Sequence, residues 1–462
     1  MGSNPIPSAV SQLLDEWRID RDETARPLVK GFIFNTYRIE SMPQYYTWTI
    51  GCQVNKAESE RLSSYLEQLG YRAAATAEEA DLIVLNSCVV RQSAEDRVIN
   101  KLDALKPLKR THPGVTLAVT GCLVNSEDGR LKKNFPHVNH FFKPGDLPQW
   151  IEPVKAESGS ALLRRPSPST FVPIIQGCNN FCSYCIVPYR RDGERSRSVG
   201  EIACEVRGLV ERGTREVTLL GQNVNSYGHD LPDKPSLADL LRELDSIDRL
   251  ARIRFLTNHP KDMSPGLIET IACLDKVCEQ ISLPVQSGDD DILKAMRRGY
   301  TVEHYRQLIT RIRRKIPEVS LSTDVIVGFP SESAKQFQQT VGLLFELRFD
   351  TVHVAAYSPR PGTTAARELE DDVPYAEKKE RLSEVEQLQE RIATEINARL
   401  LGKTAEVLVE GKKKDKWHGR SRNDKLVFFN SDNDCLGRLM KVRIERTSPW
   451  SLQGKVESSS TS

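Results

Sequence analysis

Phe171-Val172-Pro173-Ile174-Ile175-Gln176-Gly177-Cys178-Asn179-Asn180-Phe181-Cys182-Ser183-Tyr184-Cys185 decides how this chain is read. Its first five residues are apolar and suit one buried strand. Three cysteines follow directly, at Cys178-x-x-x-Cys182-x-x-Cys185. Thiolates at this spacing can wrap one face of a cuboidal iron–sulfur cluster within a tight loop. Three protein ligands on a four-iron cluster leave one iron open to a substrate. The spacing also suits a structural zinc loop. Zinc sites are usually closed by a fourth Cys or His, and the nearest candidate, Cys204, falls inside a predicted helix.

Working downstream, strands are predicted at 171–175, 216–220, 253–256, 280–284, 321–327 and 352–357. Each of the first five precedes a helical stretch, and a long charged helix, 375–400, follows the sixth. Six βα units suit an open, partial (β/α)6 barrel, since a full barrel needs eight. Upstream, strands at 45–50, 82–85 and 115–119 alternate with helices at 55–69 and 93–105, which predicts an N-terminal parallel α/β sheet. Residues 152–170 are rich in Ser, Pro, Ala and Gly and read as a linker. The last segment, 403–455, carries thirteen Lys and Arg against seven Asp and Glu. Short strands at 404–409, 426–429 and 439–444 make it a small basic β-domain of barrel type. The expected organisation is an extension over 1–44 with one short helix at 10–17, then domains over 45–155, 165–400 and 403–456.

The 462 residues are 39% hydrophobic and 28% charged, with a net charge of +2, so any nucleic-acid surface is local rather than global. No apolar run reaches the length of a membrane span. The N-terminus lacks the charged-then-apolar pattern of an export signal, so a cytoplasmic protein with no membrane partner is expected. Ten cysteines exceed what a core needs. In a reducing compartment, clustered cysteines point to metal or redox chemistry before disulfides.

Cys52, Cys88 and Cys122 lie far apart, yet each follows a predicted strand, in Thr49-Ile50-Gly51-Cys52, Leu85-Asn86-Ser87-Cys88 and Val119-Thr120-Gly121-Cys122. Parallel strands end at one edge, where ligand crevices form, so the three thiols are candidates for a second cluster. The plain alternative is three buried cysteines of the packing kind. Cys204, Cys273, Cys278 and Cys435 share no such pattern. Further polar residues close the predicted barrel strands: Gln222, Asn223 and Asn225 after the second, Gln286 and Ser287 after the fourth, Asp324, Gly328 and Glu332 around the fifth. Strand ends carry the site in barrel folds. The same residues also serve turn chemistry.

The cysteine loop, with Tyr184 before its third cysteine, resembles the radical S-adenosylmethionine (SAM) signature. Trp48 to Asn55, Leu219 to Tyr227, Leu283 to Gly288, Ser322 to Pro330 and Tyr357-Ser358-Pro359-Arg360-Pro361-Gly362-Thr363 resemble the methylthiotransferases of that superfamily. Val54 stands where Met is frequent there, and His353-Val354-Ala355-Ala356 replaces a more aromatic run. The resemblance spans residues 45–450 and implies a C-terminal RNA-binding TRAM domain. It implies two 4Fe-4S clusters, held by Cys178, Cys182 and Cys185 and by Cys52, Cys88 and Cys122. Tyr184, Gln222, Asn223, Asn225, Gln286, Ser287, Asp324, Gly328 and Glu332 become candidates for binding SAM. The implied activity is methylthiolation of C2 of N(6)-isopentenyl adenosine at position 37 of tRNA, beside the anticodon. An external one-electron reductant and a sulfur source would be needed. Another modified adenine, or a ribosomal-protein aspartate, is the alternative substrate. A non-catalytic iron–sulfur RNA-binding protein is the alternative class, and three ligands per cluster argue against it. Lys412, Lys413, Lys414, Lys416, Arg420, Arg422, Lys425, Arg443 and Arg446 are candidates for gripping phosphate.

Overall fold

The computed structural model describes residues 42–88, 92–124, 128–153 and 167–457. The predicted helix at 10–17 and most of the predicted linker lie outside them. Strands β1 (Gln44–Thr49), β2 (Arg72–Ala73), β3 (Leu82–Ser87), β4 (Thr116–Gly121) and β5 (His140–Phe141) form one parallel sheet in the order β2-β1-β3-β4-β5. Every residue of β3 is buried, as expected of a central strand covered on both faces. Helices Gln53–Gln68 and Gln92–Ala104 follow β1 and β3. The first stops where Gly70 takes φ +92°. The edge strands β2 and β5 are two residues each and carry no apolar run, which is why periodicity misses them.

Strand β6 (Ser169–Pro173) starts inside the predicted linker. A two-stranded ribbon, β7 (Ile175–Gln176) with β8 (Arg195–Ser196), brackets the cysteine loop. Strands β9 (Glu216–Leu220) and β10 (Arg252–Phe255) extend β6 in parallel. Strands β11 (Gln280–Ser282), β12 (Ser320–Val327) and β13 (Thr351–Ala356) form a second parallel set. Backbone hydrogen bonds join the sets at Ile253, from Ile253 N to Lys276 O at 2.7 Å and from Cys278 N to Ile253 O at 2.9 Å. The result is the predicted open six-stranded barrel in sequence order. Helices Val199–Glu211, Leu237–Asp245, Pro265–Cys273, Val302–Lys315, Ala334–Leu347 and Tyr375–Ala398 follow its strands. Sequence-coded caps start several of them: Ser236 with Asp239, and Ser333 with Gln336, form capping boxes. The main core lies between strands and helices, built from residues such as Val217, Leu219, Leu241, Ile253, Ile309 and Leu321.

The C-terminal segment is a closed barrel of β14 (Thr404–Lys413), β15 (Lys416–Ser421), β16 (Leu426–Asn430), β17 (Leu439–Thr447) and β18 (Leu452–Val456). The prediction of three strands misses β15 and β18. In β15 the inward positions are Trp417, Gly419 and Ser421, so the strand shows little apolar alternation. Gly419 is required: a Cβ there would lie 1.9 Å from Leu408 O. Lys414 and Asp415 both take positive φ at the tip of the β14–β15 hairpin. Arg252 and Arg254, both buried, dock this barrel on β10. Arg252 donates to Arg420 O at 2.8 Å and to Glu406 O at 2.9 Å, and Arg254 donates to Ser421 O at 2.6 Å. Among the described residues, no helix is long and apolar enough to cross a membrane.

Candidate active site

The cysteine loop is held at its root by a tightly packed glycine and a bond to a side chain at the end of β9. Gly177 takes φ +75° and packs so closely that a Cβ would lie 2.1 Å from Gly193 O. Its N–H donates to Gln222 Oε1 at 2.7 Å, which ties the loop to the end of β9. Cys178 and Cys185 face a cavity of about 760 Å³ shared with Cys52, Gln222, Asp324 and Trp450. Cys182 is buried behind them and accepts a hydrogen bond from Arg298 Nη1 at 3.3 Å. Burial pushes the Cys178 thiol up and the Cys185 thiol up to about 12, with backbone hydrogen bonds opposing it.

The other three thiols follow strands that are neighbours in the sheet: Cys52 is the N-cap residue of the helix that starts beyond β1, three residues past the strand, and Cys88 and Cys122 lie one residue beyond β3 and β4. Gly51 leaves room here: a Cβ on it would meet Cys88 Cβ at 2.6 Å. Gly121, at φ +90°, would meet Ser87 O at 2.3 Å. Asn55 and Asn86 knit the edge: Asn55 Nδ2 donates to Asn86 Oδ1 and Ser87 O, both at 2.9 Å, and Cys52 Sγ donates to Asn55 Oδ1 at 3.2 Å. Cys88 and Cys122 are buried, and Cys52 is exposed to the cavity. The Cys122 thiol is held down at about 6 by its hydrogen bond with Cys88, against burial, and further by Arg191, whose Nε donates to Cys122 Sγ at 3.0 Å.

Both sets are all-thiol, the donor chemistry that iron–sulfur clusters take. Among the described residues, no three His, Cys, Asp or Glu side chains converge closely enough for a single metal ion. A cluster spreads its thiolates around a wider body and makes no such demand. Glycine beside a thiol at Gly51 and the shared cavity provide the space.

The polar strand-end residues divide. Gln222 and Asp324 line the cavity; Tyr184, Asn223, Asn225, Gln286, Ser287, Gly328 and Glu332 are not among its lining residues. Asn225 spends both amide atoms on the His259 backbone, at 2.9 Å each. Asn223 donates to Asp262 at 2.8 Å, and Ser287 Oγ accepts from Asp289 N at 3.3 Å. Glu332 is buried, accepting from Gly328 N and from Arg381 at 2.6 Å each. Gln286, at φ +72°, keeps a buried Oε1 with no hydrogen-bond partner. Tyr184 Oη meets Arg298 Nη1 at 3.4 Å. Cys204 and Cys273 lie exposed, and Cys278 and Cys435 are buried elsewhere. Sequence reasoning misses Arg191 and Arg298. They reach their sulfurs across 69 and 116 positions of chain, and no local pattern marks such pairs.

The basic barrel is less free than its composition implies. Arg422 pairs with Glu279 at 2.7 Å, Lys425 with Asp350 at 2.6 Å and Arg420 with Asp424 at 3.0 Å. Arg420, Lys425 and the exposed Trp450 line the mouth of the cysteine cavity.

Residues 172–344 match the model of the Radical SAM superfamily, 44–143 that of the uncharacterized protein family UPF0004 and 398–456 that of the TRAM domain. The chain is 56% identical over 415 residues to tRNA-2-methylthio-N(6)-dimethylallyladenosine synthase of Dehalococcoides mccartyi strain CBDB1, covering 90% of this chain and 99% of the relative. It is 48% identical over 449 residues to the synthase of the same name from Chloroflexus aurantiacus, covering 95% and 93%. Its fold is similar to that of the radical S-adenosylmethionine methyltransferase TsrM of Kitasatospora setae, with a TM-score of 0.50 and 13% identity over 71% of this chain and 74% of that one. The chain belongs to the tRNA-2-methylthio-N(6)-dimethylallyladenosine synthases, within the radical SAM superfamily.

Proposed function

We propose that this protein methylthiolates C2 of N(6)-isopentenyl adenosine at position 37 of tRNA. The observation that carries the reading is one cavity faced by thiols of both cysteine sets, Cys52 and Cys178 with Cys185, and opening beside the basic barrel. The target carbon bears an unactivated C–H, so the hard chemistry belongs to a cofactor and the chain positions it. Bound there, one 4Fe-4S cluster would supply one-electron reduction of SAM and so radical chemistry at the C–H bond, and a second would supply the site of sulfur transfer.

In this reading Cys178, Cys182 and Cys185 hold the first cluster, and Cys52, Cys88 and Cys122 the second. Gln222 keeps the root of the cysteine loop in place through Gly177 N. Asp324 lines the cavity, where it can meet the polar end of a bound ligand; burial raises its carboxyl, against His353 and Arg298. Arg298 places positive charge beside Cys182. Trp450 offers an aromatic face at the cavity mouth, suited to an unpaired loop base. The work divides among domains over 45–155, 165–400 and 403–456. An external one-electron reductant and a sulfur source serve the reaction, which takes place in the cytoplasm.

Mass spectrometry of nucleosides tests the proposal. The reconstituted protein, with SAM and reductant, should convert isopentenyl adenosine in tRNA to its 2-methylthio form. Deoxyadenosine release with no change in any tRNA nucleoside points to another substrate.

A further inference from the structure

Cys185 and Arg191 are six positions apart, yet they belong to different thiol sites. The turn Val187–Tyr189 follows Cys185, and the N–H groups of Arg190 and Arg191 both donate to Val187 O, at 3.0 and 2.9 Å. This turn carries Arg191 out of the cysteine loop and onto the N-terminal sheet. There its Nε donates to Cys122 Sγ at 3.0 Å, and Nη1 and Nη2 donate to Glu58 Oε1 and Oε2 at 2.6 and 3.3 Å. Glu58 lies on helix Gln53–Gln68, which begins beside Cys52. The side chains of Arg191 and Glu58 are only 2% and 6% exposed.

A buried ion pair is weak evidence for stability, because desolvation offsets much of its attraction. This one has a geometric product. The carboxylate takes one edge of the guanidinium and leaves Nε aimed at sulfur. Glu58 also offsets most of the guanidinium charge, so the sulfur meets a directed N–H donor beside a nearly neutral pair. Hydrogen bonds to cluster sulfurs are among the levers that set cluster potentials.

We propose that Arg191, oriented by Glu58, is a positioning residue that hydrogen-bonds the Cys122 thiolate and sets the reduction potential of the cluster held by Cys52, Cys88 and Cys122. The inference rests on that cluster being present. A donor to sulfur stabilises the more negative, reduced state, so Arg191 raises the potential.

The test uses the full chain with Cys178, Cys182 and Cys185 all replaced by Ala and reconstituted without oxygen. About four irons per chain are expected from the remaining cluster. A chain without iron overturns the cluster reading before Arg191 is touched. Redox titration followed by electron paramagnetic resonance then compares Arg191→Gln, Arg191→Lys and Glu58→Gln. Arg191→Gln should lower the reduced-to-oxidised ratio at fixed potential about tenfold, about 59 mV for a one-electron couple. Glu58→Gln should raise the ratio by exposing the guanidinium charge, and Arg191→Lys should fall between Arg191→Gln and the parent. Full iron with the parent potential in Arg191→Gln overturns the proposal. If Arg191→Gln loses its cluster, unchanged potentials in the other two variants overturn it instead.

Discussion

Cys178, Cys182 and Cys185 share one loop, whereas Cys52, Cys88 and Cys122 follow three separate strands. The loop site is positioned by chain connectivity, and whatever preserves Gly177 and its partners preserves it. The other site depends on β1, β3 and β4 being neighbours in register, because the register sets where the segments that carry its thiols leave the sheet. The two also differ electrically. Burial pushes Cys185 up to about 12, while Cys88 and Arg191 hold Cys122 at about 6. Each site has a buried arginine on a sulfur, but Arg191 is paired with Glu58, and Arg298 spends its other donors on Tyr300, Tyr184 and Pro284 O. Two sets of three thiols beside one cavity can thus be built by unlike means, with unlike charge around them.

The sharpest way to break the comparison is to remove one thiol of the loop. Cys178→Ala should abolish SAM cleavage and cut iron to about half, because one cluster loses a third of its protein ligands. Undiminished deoxyadenosine release would sink the assignment of the loop.

Replacing Cys52, Cys88 and Cys122 together by Ala should have the opposite selectivity. The variant should keep one cluster and still release deoxyadenosine, but form no methylthio product. Three merely packed cysteines predict a less stable protein with unchanged chemistry per folded molecule. Product yield and iron, both normalised to the folded fraction, separate the outcomes.

A gentler probe is pH on the metal-free chain. The Cys122 thiol lies at about 6, below its ordinary 9.0, so its stabilisation is present above pH 9 and lost as pH falls through 6. Cys185 lies at about 12, above 9.0, so its contribution is present below pH 9 and lost as pH rises toward 12. Urea unfolding should therefore show Cys122→Ser costing most near pH 9 and little near pH 5. Cys185→Ser should instead flatten the decline in stability above pH 9. Parallel curves for both variants would erase the electrical contrast.

The smallest effect is expected away from both sites. Lys413 and Lys414 sit exposed at the β14–β15 hairpin, whereas Arg422 and Lys425 are tied to Glu279 and Asp350. Replacing both lysines by Ala should make the slope of log affinity against log salt shallower by about 1.4 to 1.8 units. SAM cleavage without tRNA should not change. An unaltered slope would move the phosphate grip to another face.

Much of this is legible in the order of residues along the chain. The cysteine spacing marked the loop, and alternation of strand and helix put Cys52, Cys88 and Cys122 at equivalent strand ends. Strands β15 and β18 were not legible, since inward Gly419 and Ser421 give β15 no apolar rhythm. The polar strand ends were only half legible. Asn225 and Gln222 look alike in sequence, but Asn225 is spent on the His259 backbone while Gln222 lines the cavity.

Spacing and periodicity act over a few residues, so they carry the two sets of candidate thiols, the six βα units and the order of the parts. The tertiary structure alone decided that Arg191 meets Cys122, that Arg298 meets Cys182 and that the barrel docks on Arg252 and Arg254. A hydrogen bond acts over about 3 Å whatever the distance along the chain, so only packing determines which donor reaches which sulfur.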